Sequence, residues 1–132
     1  MIVVKEYEAI LEAYGKAGGS LDALRSKEVG NLVIHENRVL SANEVKGIKV
    51  ETEETETGVN IYFLVEEGAK IKYPVHLCFG VLPQQGLQEI MLRVEAQDNS
   101  EINVIAHCIF PNAVNVIHKM DADIKIGDNA KF

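Results

Sequence analysis

Two histidine–cysteine groupings stand out in the chain, His76 with Cys78 in "PVHLCFG" and His107 with Cys108 in "IAHCIF". Imidazole nitrogen and thiolate sulfur are suitable ligands for zinc or iron, so these four residues are the candidate metal ligands. The spacing is not that of a zinc knuckle, and two cysteines in apolar surroundings indicate no disulfide framework. Reduced thiols fit a cytoplasmic chain. There is no GxSxG, HExxH, P-loop or GxGxxG, so no catalytic residue is assigned and the chain is expected not to be an enzyme.

Whether the four can meet depends on the elements that carry them. At 132 residues the chain suits one domain with a real core, and 47% apolar with 25% charged residues is an ordinary soluble composition. No apolar run reaches the ~20 residues that span a bilayer, and the N-terminus carries Lys5, Glu6, Glu8 and Glu12 where a leader would be uninterrupted. A net charge of −7 without a basic stripe repels a phosphate backbone, which excludes nucleic acid as a partner class.

Val3, Val4, Tyr7, Ile10, Leu11 and Tyr14 follow the three-and-four spacing of a helix face, and Gly18-Gly19 ends that helix. Ser20 is placed to cap a short second turn with Leu21 and Leu24. Residues 1–30 therefore read as an N-terminal helical segment and 31–132 as a β core. "LVIHENRVL" reads as strand, turn at Glu36-Asn37, strand, with His35 beside the turn and exposed. The Thr/Glu alternation from Glu51 to Thr57 reads as a solvated strand face.

Three stretches repeat without gaps, from Ile61, from Leu92 and from Ala122, at offsets of 31 and 30 residues. Their turns superpose as Glu67-Gly68-Ala69, Asp98-Asn99-Ser100 and Asp128-Asn129-Ala130, each with a residue at its second place that tolerates positive φ. Apolar residues alternate before the turn at Ile61, Phe63 and Val65, at Leu92, Val94 and Ala96, and at Ala122, Ile124 and Ile126. Two strands meeting at a fixed corner once per repeat predict a mainly β fold, a right-handed parallel β-helix (solenoid) with a short N-terminal helical segment. A β-sandwich is the alternative, since hairpins also give alternation.

In that register His76 and His107 occupy the same place one coil apart on the outer face, and Cys78 shares it. Ile105 and Ile109 make this face apolar, so the N-terminal helices or another chain are expected to cover it. Cys108 takes the opposite phase with Ile102, Val104 and Ala106, toward the core, and His118 also points inward as a hydrogen-bonded structural residue. A metal-binding or small-molecule-binding β domain of cupin-like kind, using His76, Cys78 and His107, is the alternative to a scaffold.

The stretches "ENRVLSANEVKGIKVETEE", "PVHLCFGVLPQQGLQEI" and "AHCIFPNAVNVIHKMDADIKIGDNAKF" resemble the SufB/SufD family of iron–sulfur cluster assembly scaffolds, in its short archaeal-type form. The resemblance runs from about Ala17 to Phe132. It implies a parallel β-helix core, association as homodimers or heterodimers, and work with a cytosolic SufC-type ABC ATPase. It also implies a transient iron–sulfur cluster, built from received sulfur and iron and handed on. Family members continue past the position of Phe132, so the chain is expected to be truncated in mid β-helix, with the ATPase-binding segment and the family's best-attested cysteine and histidine outside it. An uncapped strand edge is expected to favour a homo-oligomer.

Overall fold

The computed structural model describes residues 2–132, with side chains from residue 5 onward. The side chains of Val3 and Val4, part of the expected helix face, lie outside those described. Two helices, α1 (Ile2–Lys16) and α2 (Leu21–Arg25), precede eight strands: β1 (Asn31–His35), β2 (Arg38–Asn43), β3 (Ile48–Glu54), β4 (Gly58–Val65), β5 (Val75–Gly80), β6 (Gln85–Ala96), β7 (Val104–Ile109) and β8 (Asn115–Ile126). Helix α1 stops where Gly18 takes a φ of +92°, which L side chains rarely adopt. The Ser20 hydroxyl then accepts the Ala23 N–H at 3.2 Å and starts α2. No helix among the described residues is long and apolar enough to cross a membrane.

The strands form two four-stranded sheets. The first has the order β2-β1-β5-β7 and the second β3-β4-β6-β8. The gap-free repeat appears in the second sheet as parallel pairing, Ile61 opposite Leu92 and Leu92 opposite Ala122. The repeated turns carry Gly68, Asn99 and Asn129 at φ of 73°, 63° and 59°. Their amides link layer to layer, Gly68 N–H to Asp98 O at 3.0 Å and Asn99 N–H to Asp128 O at 2.9 Å.

The architecture is nevertheless not the right-handed parallel β-helix expected. It is a mixed α/β fold of two separate four-stranded sheets facing one another, with a helix on the outer side of one of them. Each sheet is itself mixed, because β2 returns antiparallel on β1 and β3 antiparallel to β4. The stretches between the sheets are turns whose layer-to-layer hydrogen bonds include only the isolated β-bridges Lys70–Glu101 and Glu101–Lys131 and no strand ladder, so no further wall of strands forms there. Pattern repetition specified which strands pair and in which direction. It did not specify how many walls enclose the core.

The sheets enclose Leu32, Ile34, Ile61, Phe63, Leu77, Phe79, Leu92 and Val94. A second cluster lies outside the first sheet, where Ile10, Leu11 and Tyr14 of α1 cover Val33, Cys78 and Ile109. Coverage on both faces explains why β1 is buried along its whole length, as an unbroken apolar run does. It also corrects the placement of His35, which is buried rather than exposed at its turn. Its Nε2 accepts the Leu82 N–H at 3.2 Å, so Nδ1 carries the proton and donates to Glu6 of α1 at 3.0 Å. Arg38 pairs with the other oxygen of the same carboxylate. The strand β3, by contrast, lies with Glu51, Thr52, Glu53 and Glu54 in solvent, as read from the alternation.

Candidate functional site

The histidines and cysteines fall into two clusters on opposite faces of the first sheet. His76 and Cys78 project from β5 to the face under α1, and His107 does so from β7. The register there differs from the one read from the repeat. His76 stands opposite Ile105, and Cys78 opposite His107, an offset of 29 rather than 31 residues. Lys70 is still paired with Glu101 at 31, so two residues drop out between the turn and the strand. The first copy spans that gap with Ile71 to Pro74, the second with only Ile102-Asn103. All three side chains keep their face, but the expected stacking of His76 on His107 is replaced by Cys78 on His107.

Tyr14 of α1 organises this outer cluster. Its hydroxyl shares a hydrogen bond with Nδ1 of His76 at 3.0 Å, and its ring meets the His107 ring edge-on with centroids 4.8 Å apart. His107 Nδ1 is buried with no hydrogen-bond partner. Burial, and then the neighbouring His107, hold the His76 imidazole below its usual range. Burial, and then Cys108, push the Cys78 thiol up to about 12. A fully buried thiol of that kind behaves as a small hydrophobe rather than a reactive group.

Cys108 faces the other way, between the sheets, as its phase implied. It is exposed rather than buried, because β7 and β8 are the last strands of their sheets and leave this end of the interior open. Across that opening its Sγ lies 3.7 Å from Nε2 of His118 on β8. His118 Nδ1 is 2.8 Å from Oε1 of Gln88, its parallel partner on β6. Gln88 is fully buried, and its amide nitrogen donates to the carbonyls of Glu36 at 3.0 Å and Gly80 at 3.2 Å. The His118 ring is flanked by Phe110 and Phe79, with centroids 5.4 and 6.2 Å away. Burial pushes the Cys108 thiol up and the His118 imidazole down, so both rest neutral.

The structure thus joins His76, Cys78 and His107 on one face and sets Cys108 apart with His118. Among the described residues no group of three or more His, Cys, Asp or Glu is arranged to hold a metal ion. Tyr14, read from the sequence only as part of the helix face, and Gln88 were not among the expected site residues. Gln88 left a signal, since a polar residue stands in an inward phase 30 residues before His118. For Tyr14 the helix face was legible but its partners were not, because the contacts with His76 and His107 come from docking of α1 onto a sheet formed far along the chain.

Curated proteins match this chain along its length. One from Pyrococcus horikoshii, named as an iron–sulfur cluster assembly SufBD family protein, is 35% identical over 128 residues, 96% of this chain and 39% of that protein. One of the same family name from Methanocaldococcus jannaschii is 30% identical over 132 residues, 100% of this chain and 42% of that protein. No family model matches the chain, and no solved structure matches it significantly. A two-sheet domain with ladders of parallel repeats is thereby tied to one class of protein. By sequence the chain belongs to the SufB/SufD family over the span it covers. It spans about two fifths of the length of the curated relatives it matches.

Proposed function

We propose that the chain forms part of a scaffold for iron–sulfur cluster assembly, acting in the cytoplasm with a SufC-type ABC ATPase and performing no catalytic turnover of its own. The observation that carries this reading is the match to two proteins of the SufBD family along essentially the whole chain. Iron and sulfide are cargo in this reading, taken up transiently and passed on. Self-association is part of the proposal, as the family resemblance implies.

The test is anaerobic incubation with ferrous iron and sulfide, alone and with the ATPase, followed by visible spectra and transfer to an apo-ferredoxin. A labile chromophore that passes to the acceptor supports the proposal. A tight, stoichiometric metal that does not transfer, or no chromophore under either condition, speaks against it.

A further inference from the structure

We infer that Glu44 and Glu54 are edge guards, whose carboxylates occupy outward-facing amides of the β2–β3 layer and so refuse strand addition there by a second copy of this chain. The device needs neither a cluster nor an ATPase, so it goes beyond the scaffold reading and is tested apart from it.

A strand paired on one side turns every second N–H away from its partner, a row of donors to which another strand can add. Strands β2 and β3 are paired in this way, antiparallel on β1 and β4. The Val39 N–H of β2 donates to Glu54 Oε2 at 2.8 Å, and the Val50 N–H of β3 donates to Glu44 Oε2 at 2.6 Å. The Ile48 N–H, two residues before Val50, goes to the Val45 carbonyl at 3.0 Å. Three donors of the layer are therefore satisfied from within it. A charged acceptor makes the stronger hydrogen bond, so a strand carbonyl that displaces either carboxylate gains nothing by the exchange. Donors and acceptors all lie within residues 39–54, which makes the closure local to this layer and independent of what the chain carries elsewhere.

The two carboxylates reach their amides by different routes. Glu44 lies in the link between β2 and β3 and folds back over the strand it leads into. Glu54, the last residue of β3, is in phase with Ile48 and Val50, which face the core, and it reaches from its own sheet to β2 of the other. Beside it the Asn37 amide nitrogen donates to the Thr55 carbonyl at 2.8 Å, which holds the two turns together. Charge adds to the closure. Glu51, Glu53 and Glu54 are exposed on β3, and a second copy brings the same negative charges to any pairing of this strand with itself.

The test combines amide hydrogen exchange with sedimentation velocity on the whole chain. In the wild type the Val39 and Val50 amides are expected to exchange at least about tenfold slower than in the unfolded chain, although both lie on strand edges. Glu44→Ala combined with Glu54→Ala is expected to remove that protection in dilute samples and to add a concentration-dependent association step beyond the wild-type state. Glu44→Gln combined with Glu54→Gln keeps an acceptor at each place and is expected to add no such step. Thr52, two residues beyond Val50, is exposed and turns its N–H the same way. Thr52→Pro in the alanine pair removes that donor from the edge and is expected to abolish the added step. Unfolded-chain exchange at Val39 and Val50 in the wild type would overturn the assignment without any variant. So would an alanine pair that keeps the wild-type state at every concentration, a glutamine pair that associates as the alanine pair does, or an added step that survives Thr52→Pro.

Discussion

Cys78 and His107 stand opposite one another in the parallel pair of β5 and β7, on the face that α1 covers, with the Tyr14 ring against the imidazole. The helix is therefore held to the sheet by a polar contact inside an apolar interface. Tyr14→Phe keeps the ring and leaves the Nδ1 of His76 without its partner at 3.0 Å. The expected cost is about 1–3 kcal/mol, read as a lower urea midpoint at unchanged slope. Tyr14→Ala also empties the space of a fully buried ring and is expected to cost more, about 3–5 kcal/mol.

Acid should weaken the fold through one histidine of each cluster. Burial holds His76 and His118 below the usual histidine value of 6.5 in the folded chain, so the unfolded chain binds protons more readily. Their contribution is fully present above that ordinary value and is lost as pH falls through the depressed folded values. Stability measured by urea at a series of pH values is expected to decline below about 6.5, and His76→Gln should flatten part of that decline. A decline on the alkaline side instead, or an unchanged slope in the variant, would show that His76 does not titrate as its burial implies.

A close passage of two backbones sets the sharpest steric expectation. A Cβ at Gly58 would lie 1.7 Å from the carbonyl oxygen of Glu89, its parallel neighbour. No side-chain rotation relieves a clash with a main-chain atom. Gly58→Ala is expected to separate β4 from β6 at this end and to cost at least about 3 kcal/mol, read by thermal and urea unfolding. Gly68→Ala, with nothing within 4 Å, should cost only the strain of its positive φ, about 1–2 kcal/mol.

Equivalent positions of the repeat should differ in cost by layer. Val94 and Ile124 are partners on β6 and β8, yet Val94 is 5% exposed and Ile124 44%. Val94→Ala is expected to lose about 1–3 kcal/mol, while Ile124→Ala should stay within about 0.5 kcal/mol. Urea midpoints of the two variants measured side by side check this, and equal losses would mean that the β8 end is covered in solution.

Much of this organisation was legible in the residues because it is local. Gly68, Asn99 and Asn129 marked turns needing positive φ, and all three have it. Alternation assigned Ile61, Leu92 and Ala122 to one face and one register, and parallel pairing follows. The enclosing shape was not legible, since a period of two residues says which face a side chain takes and nothing about how many sheets surround the core. The register error at His107 came from aligning copies of equal sequence spacing across Ile71 to Pro74, where the chain is two residues longer than its counterpart. His35 and Gln88 owe their partners to segments 29 and 52 positions away, a distance over which no pattern in a single sequence reports contact.

The stretch from Ile71 to Pro74 also fixes how the chain can change length. Two residues more or fewer at this corner leave Val75, Leu77 and Phe79 in the interior and Cys78 under the helix, as the two copies already demonstrate. One residue more or fewer would exchange those roles, putting an imidazole and a thiol into the core and three large apolar side chains beneath Tyr14. Insertions and deletions here are therefore subject to a parity rule, tolerated in even numbers and ruinous in odd ones, which makes this corner a site where the chain can be edited in pairs.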